Sequence, residues 1–289
     1  MKDYNMYQEG ARERIVELHK MNLDSFGVPY ETFDVQTSFG RTSVDKIGNP
    51  NGKPIVAIGG HRMINCTVFN KFTDLFDEFC FYSPGVIGQA GLSEDGLIDP
   101  KNYGFGKWLA EVIKELNLKE KPAVMGCSFG GGVVANLICY DPDCVSKAVM
   151  LCPIGVTRMN YIPGIKASLR YHKNRRNHDM EAFRREAILT NSHEGVLDEN
   201  AVIIATEISA NCNIKDNFPM NVRKKDLPNG KVPAILYYGD KDYLYPSDRV
   251  TKTFKKYYPS CERFLMKGFG HTAFMNAEGK KRLREFLRG

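Results

Sequence analysis

The stretch Pro122–Cys139 constrains this chain more than any other. It opens with a short apolar run, Ala123 to Met125, and closes with a helix-like run, Val133 to Cys139. Between them stands Gly126-Cys127-Ser128-Phe129-Gly130, a Gly-x-Ser-x-Gly pentapeptide. In that pattern a serine sits on a sharp turn from strand to helix, with its hydroxyl lifted clear of the backbone. The turn leaves no room for side chains two residues before or after the serine, so both positions call for glycine. The pentapeptide alone is weak, but the flanking strand and helix strengthen it. A serine in this setting calls for an acid and a histidine further along.

The rest of the chain predicts alternating strands and helices. A helix is predicted over residues 5–23, with Ile15, Val16 and Leu18 set among charged residues. Tyr30–Val35 and Arg41–Ile47 predict a hairpin, and Ile55–Ile58 a short buried strand running into Gly59-Gly60-His61-Arg62. Val68–Phe76 predicts a helix, Phe79–Tyr82 a strand and Tyr103–Leu116 an amphipathic helix carrying Trp108, the single tryptophan. Val145–Cys152 adds a strand. Such alternation, with short gaps, is the mark of an α/β chain with a parallel sheet. It breaks after Pro153. From about 154 to 230 there are helical patterns, clearest over Glu181–Leu189 and Glu199–Ser209, and no convincing strand. The pattern resumes with strands at Val232–Tyr238 and Glu262–Met266, and helices at Ser247–Tyr257 and about 277–287. The predicted organisation is a core over 1–153 and 231–289, interrupted by a helical insertion over 154–230.

Two strand ends supply the missing groups. The strand closing at Tyr238 runs into Gly239-Asp240-Lys241-Asp242, and the last strand into Gly268-Phe269-Gly270-His271. Groups just past buried strands gather at the carboxyl edge of an open α/β sheet, where ligand sites form. A serine hydroxyl is a poor nucleophile at neutral pH and needs a base within hydrogen-bond reach. Histidine titrates near neutrality, so it can take that proton and return it to a leaving group. A carboxylate holds the imidazole tautomer and stabilises the imidazolium. Ser128, Asp242 and His271 follow in that order. Asp242 is preferred to Asp240 because it lies farther past the strand and precedes Pro246, suiting the turn into the next helix. Acyl transfer also needs donors for a developing oxyanion. The backbone N–H of Phe129 and that of His61, in the glycine-flanked turn, are the candidates.

On these residues the chain resembles the α/β-hydrolase superfamily, and within it bacterial carboxylesterase-like serine hydrolases with an N-terminal helix before the first strand. The resemblance extends over Gly27-Val-Pro-Tyr-Glu31, Thr37-Ser-Phe-Gly-Arg-Thr42, Val86-Ile-Gly-Gln-Ala-Gly-Leu-Ser93 and the Gly126–Gly130 turn. It implies a mostly parallel eight-stranded sheet flanked by helices, a helical cap, and esterase activity without a cofactor. Relatives usually carry His-Gly where this chain has Gly59-Gly60, and many have aspartate where it has Gly85.

Composition bounds the remaining choices. The 289 residues are 43% hydrophobic and 26% charged, with formal net charge +6. That suffices for a sizeable core, and the modest basicity is no argument for a nucleic-acid partner. Eight cysteines, several inside apolar runs and none in a CxxC pair, read as reduced thiols rather than a disulfide framework or a metal site. The N-terminus opens no apolar signal segment, and no run approaches the roughly 18 apolar residues that span a bilayer. The chain therefore reads as soluble and cytoplasmic, without stable membrane association, as a monomer or homodimer. A basic run, Lys166, Arg170, His172, Lys173, Arg175, Arg176, Arg184 and Arg185, reads as a solvated face of the insertion, the other reading being a site for an anionic substrate or an acidic membrane surface. Met63, Met125, Met150 and Met159 are candidates for an apolar acyl pocket or for core packing. Three functions suit the pattern: a serine hydrolase of esters or thioesters, an acyltransferase on the same three groups, and a ligand-binding protein without turnover. Ser128 at the turn disfavours the chemistry of relatives that carry aspartate there.

Overall fold

The apolar runs form eight strands of one sheet in a computed structural model, which describes residues 6–175, 179–192, 198–272 and 274–289. The strands are β1 (Tyr30–Thr37), β2 (Gly40–Gly48), β3 (Lys53–Ile58), β4 (Phe79–Pro84), β5 (Ala123–Cys127), β6 (Lys147–Leu151), β7 (Ala234–Gly239) and β8 (Glu262–Met266). Their order is β1-β2-β4-β3-β5-β6-β7-β8. The β1–β2 and β2–β4 pairs are antiparallel and all the others parallel, as the alternating pattern predicts.

Eight helices accompany the sheet among the described residues: α1 (Ala11–Asp24), α2 (Gly104–Glu115), α3 (Phe129–Tyr140), α4 (Tyr161–Arg175), α5 (Met180–Asn191), α6 (Glu199–Asn211), α7 (Ser247–Tyr257) and α8 (Ala277–Arg288). Successive strand residues point to opposite faces. Ile55, Ala57, Met125, Val149 and Tyr237 therefore join one core with Ile15 and Leu18 of α1, Ile208 of α6 and Leu283 of α8. Val56, Val124, Met150 and Leu236 join the other, with Trp108 of α2, Val134 and Leu137 of α3 and Phe254 of α7. Trp108 also donates its Nε1–H to Thr42 Oγ1 at 3.1 Å.

Three readings need correction. The first helix begins at Ala11, not at residue 5, behind Gly10 at φ 73°. Tyr7 pairs instead with Cys212 in an isolated bridge, and its hydroxyl donates to the Gly91 carbonyl at 3.1 Å. Asn5 lies outside the described residues. Val68–Phe76 forms no α-helix but parts of two 3₁₀ turns, Asn65–Lys71 and Thr73–Leu75. Cys66, Phe69, Phe72 and Leu75 recur every third residue and all are buried. That period matches three residues per turn better than 3.6. Third, the insertion holds a further helix, α4, beyond its two clearest helical patterns. Pro163 stands in its first turn, where a missing N–H costs no intrahelical bond.

The stretch between β6 and β7 holds α4, α5 and α6. Its basic run is partly paired. Arg170 meets Glu186 through Nε at 2.7 Å and Nη2 at 3.0 Å, and Arg184 pairs with Glu181 and Glu199. Arg176 lies outside the described residues.

Candidate active site

Ser128 stands between β5 and α3 at φ 52°, ψ −108°. A non-glycine residue in such a region costs of order 1–3 kcal/mol and persists only when its surroundings impose it. The imposing contacts are clear. A Cβ on Gly126 would stand 2.4 Å from the Gly130 carbonyl oxygen, and one on Gly130 would stand 2.3 Å from the Ile58 oxygen. Both positions therefore admit only glycine, as the turn requires. The Ser128 N–H donates to the Leu151 carbonyl at 2.8 Å, tying the turn to β6. Arg62 and Cys152, just past β3 and β6, also have positive φ, 58° and 43°. Three of the seven non-glycine residues with positive φ among the described residues thus stand at the carboxyl edge of the sheet.

The three sequence-selected groups meet there. Ser128 Oγ lies 2.8 Å from His271 Nε2, and His271 Nδ1 lies 2.9 Å from Asp242 Oδ2. The side chains of Asp242 and His271 are only 1% and 8% exposed, so the pair is shielded from water. Asp242 Oδ1 accepts the N–H groups of Leu244 and Tyr245, each at 2.9 Å, which fixes the carboxylate plane. The Tyr245 ring stacks on the His271 ring at 5.5 Å. The His271 N–H donates to the Thr190 carbonyl at the end of α5, 2.8 Å away. The Cys152 thiol lies 3.6 Å from the Thr272 carbonyl, beneath the histidine loop. Asp240 is exposed and caps the β8 turn by accepting the Gly268 N–H at 2.7 Å. Cys127, adjacent to Ser128, is no competing nucleophile. Burial pushes its thiol up to about 12.

The turn after β3 faces the serine from the other side. Phe129 is the first residue of α3, so its N–H has no acceptor within the helix. His61 stacks on Phe129 at 5.6 Å and packs on Phe218 at 4.7 Å. Burial, then the Arg62 charge, hold its imidazole down at about 4 against an ordinary 6.5. It is neutral near pH 7. Its Nε2 is buried with no hydrogen-bond partner among the described residues. The Arg62 N–H donates to Gln89 Oε1 at 2.8 Å, and the Arg62 guanidinium lies over the Tyr171 ring of α4 at 3.9 Å. Gly59 and Gly60 have space for a Cβ, so sterics do not demand glycine in place of the relatives' His-Gly. At Gly85 a Cβ would stand 2.7 Å from Ser93 Oγ, which donates to the Gly85 carbonyl and accepts from the Ser43 N–H. Ser93 occupies the space that an aspartate side chain would need.

Met125 and Met150 are core residues, while Met159 packs against Gly164 of α4 and Met63 lies beside Gly60. Tyr245, Thr190, Gln89 and Cys152 escaped sequence reasoning. Only Tyr245 carried a signal, through its position three residues past Asp242.

A second histidine–aspartate pair went unread as well. His19 Nε2 of α1 lies 2.8 Å from Asp45 Oδ2 of β2. Asp45 also accepts from Asn65 Nδ2 at 2.6 Å and from the Thr32 hydroxyl at 2.8 Å. Asn65 in turn donates to the Ser83 carbonyl at 2.7 Å, so the cluster joins α1 and the sheet to the end of the His61 turn.

No protein-family model matches the chain. An uncharacterised carboxylesterase, nap, of Bacillus subtilis (strain 168) is 22% identical over 278 residues, which is 91% of this chain and 87% of that one. Carboxylesterase YbfK of the same organism is 21% identical over 272 residues, 89% of this chain and 87% of the relative. Among solved structures, naproxen esterase (carboxylesterase NP) from Bacillus subtilis superposes with a TM-score of 0.83 at 19% identity, covering 97% of this chain and 99% of that one. CesB (YbfK) from Bacillus subtilis gives 0.79 at 18% identity, covering 96% and 98%. The chain has the α/β-hydrolase fold. It is carboxylesterase-like in sequence over nearly its whole length. No helix among the described residues is long and apolar enough to cross a membrane.

Proposed function

We propose that this protein hydrolyses carboxylic esters through an acyl-enzyme on Ser128. The observation that carries the reading is the unbroken hydrogen-bonded line from Ser128 Oγ through His271 to Asp242, at the carboxyl edge of the sheet. Ser128 Oγ attacks the ester carbonyl carbon while His271 Nε2 takes the hydroxyl proton. The negative charge passes to the carbonyl oxygen, where the N–H groups of Phe129 and His61 receive it. Collapse breaks the bond to the alcohol oxygen, and His271 returns the proton to the leaving alcohol. Water then repeats the cycle on the acyl-enzyme and releases the acid. Asp242 stays ionised throughout; its two backbone bonds hold it while it orients His271 and offsets the imidazolium charge.

The carboxylesterase relatives support ester substrates. Residues 154–230 act as a cap over the site. Supporting this are the Thr190 carbonyl on the His271 backbone, Phe218 against His61, and Tyr171 beneath Arg62. No disulfide joins the eight cysteines, all of which are described, and this suits a reducing, cytoplasmic setting. Turnover of p-nitrophenyl esters tests the reading. Ser128→Ala should fall to the uncatalysed background, and a folded variant that keeps the wild-type rate contradicts it.

A further inference from the structure

The outer face of α4 is unlike the rest of the surface. Ile162, Ile165 and Leu169 are 69%, 60% and 65% exposed, and Tyr161 is 60% exposed. Every other large hydrophobic exposed among the described residues lies below 50%, from Met21 at 38% to Leu189 at 49%. Isolated exposed apolar residues need no explanation; a contiguous stripe does. At about 100° per residue, Ile162, Ile165 and Leu169 project within about 60° of one another. Lys173 and Lys166 border that stripe on one side, within a further about 40°, and both are exposed. Tyr161 and His172 border the other side.

The orientation is set from within. Tyr171 lies beneath the Arg62 guanidinium and edge-on to Phe183 at 6.3 Å, Arg170 is held by Glu186, and Gly164 packs on Met159. These contacts turn Ile162, Ile165 and Leu169 outward. Tyr161–Arg175 contains four Lys or Arg residues and no acidic residue. Lys166 and Lys173 form no ion pair among the described residues.

We propose that the outer face of α4 docks the protein, reversibly and peripherally, on anionic membrane surfaces. Aliphatic side chains flanked by lysines suit the boundary between headgroups and acyl chains. There the aliphatic groups leave water, while the lysine stems run along the apolar layer and place their ammonium groups among lipid phosphates. A second copy of the same face would bring like charges together, whereas an anionic bilayer neutralises them. One three-residue stripe gives weak binding, in keeping with a protein that has no membrane-spanning helix among the described residues. Because the inner side of α4 rests on Arg62, beside His61, docking sets the turn that faces Ser128 next to the lipid surface.

Co-sedimentation with phosphatidylcholine vesicles, with and without phosphatidylglycerol, tests this. The full chain should bind the phosphatidylglycerol vesicles at low salt and bind the neutral ones far less. Lys166→Gln and Lys173→Gln should each lower the partition coefficient about fivefold. Ile165→Asp with Leu169→Asp should lower it by at least about tenfold. Turnover of p-nitrophenyl acetate in free solution should be retained by that double variant. Absence of wild-type binding to the anionic vesicles, or binding that survives in the double variant, overturns the proposal. So does a wild-type dimer, seen by light scattering and dispersed by the same variant, without vesicle binding; the face then belongs to a second copy. A melting curve by circular dichroism reports folding independently, so failure of the ester-hydrolysis reading leaves the vesicle result interpretable.

Discussion

Among the described residues two buried histidine–aspartate pairs have nearly the same length, one made through Nδ1 and the other through Nε2. His271 meets Asp242 at 2.9 Å and His19 meets Asp45 at 2.8 Å. The Asp242 carboxylate accepts two backbone N–H groups, and the Asp45 carboxylate accepts two side-chain donors. What differs is the company. His271 has its free nitrogen on a serine hydroxyl that a strained turn lifts above the sheet's carboxyl edge. His19 lies where α1 packs on the sheet, and its pair binds Asn65 at the root of the His61 turn. Under the proposed function the same chemical pair would serve as a proton relay in one place, while in the other it braces α1 against the sheet. A buried pair acquires chemistry only from what stands at the second nitrogen.

Breaking the first pair should give the largest effect on rate. Asp242→Asn should lower kcat on a p-nitrophenyl ester by about 10⁴-fold with little loss of melting temperature. An effect below tenfold would remove Asp242 from the relay. Breaking the second pair should act on stability instead. Asp45→Ala takes the shared acceptor from two buried side chains, His19 and Asn65, and should cost about 3–5 kcal/mol in urea unfolding. Rate per folded molecule should change far less than in Asp242→Asn, and a reversed ranking would exchange the roles of the two pairs.

A third histidine sharpens the contrast, since His61 has no carboxylate partner among the described residues. Its folded pKa of about 4 lies below the ordinary 6.5. Between those values the unfolded chain binds a proton that the folded chain does not, so stability falls as pH drops through that window. The loss approaches about 3 kcal/mol at pH 4. His61→Phe should abolish that component, read as the difference between the two stability–pH curves. Identical curves would show that His61 does not resist protonation. The smallest effect should come from Asp240→Asn, which keeps an oxygen facing the Gly268 N–H. Its rate should stay within about threefold of wild type, because Asp240 is an exposed turn cap.

These comparisons also show why some parts were legible in the chain and others were not. Strands and helices with strong periodicity were readable, and so was the meeting of Ser128, Asp242 and His271 in one place, because each follows a buried strand with glycine nearby. The brace was not, since His19, Asp45 and Asn65 are distant in sequence and each looks ordinary alone. Segment 65–75 misled because a three-residue apolar period over one short stretch resembles a helical one. Helix α4 was blurred by its apolar stripe, which faces outward and so marks no core side. The insertion shows the same limit, because its helices were readable while what they cover depends on tertiary contacts such as Thr190 with His271.

The central claim is that Ser128 is a nucleophile activated by His271. The most direct test is labelling with a fluorophosphonate probe followed by mass spectrometry of the peptides. The account predicts a single adduct on Ser128 in the wild type, lost in Ser128→Ala and strongly slowed in His271→Ala. A folded wild type that remains unlabelled, or an adduct on another residue that persists in Ser128→Ala, would contradict it.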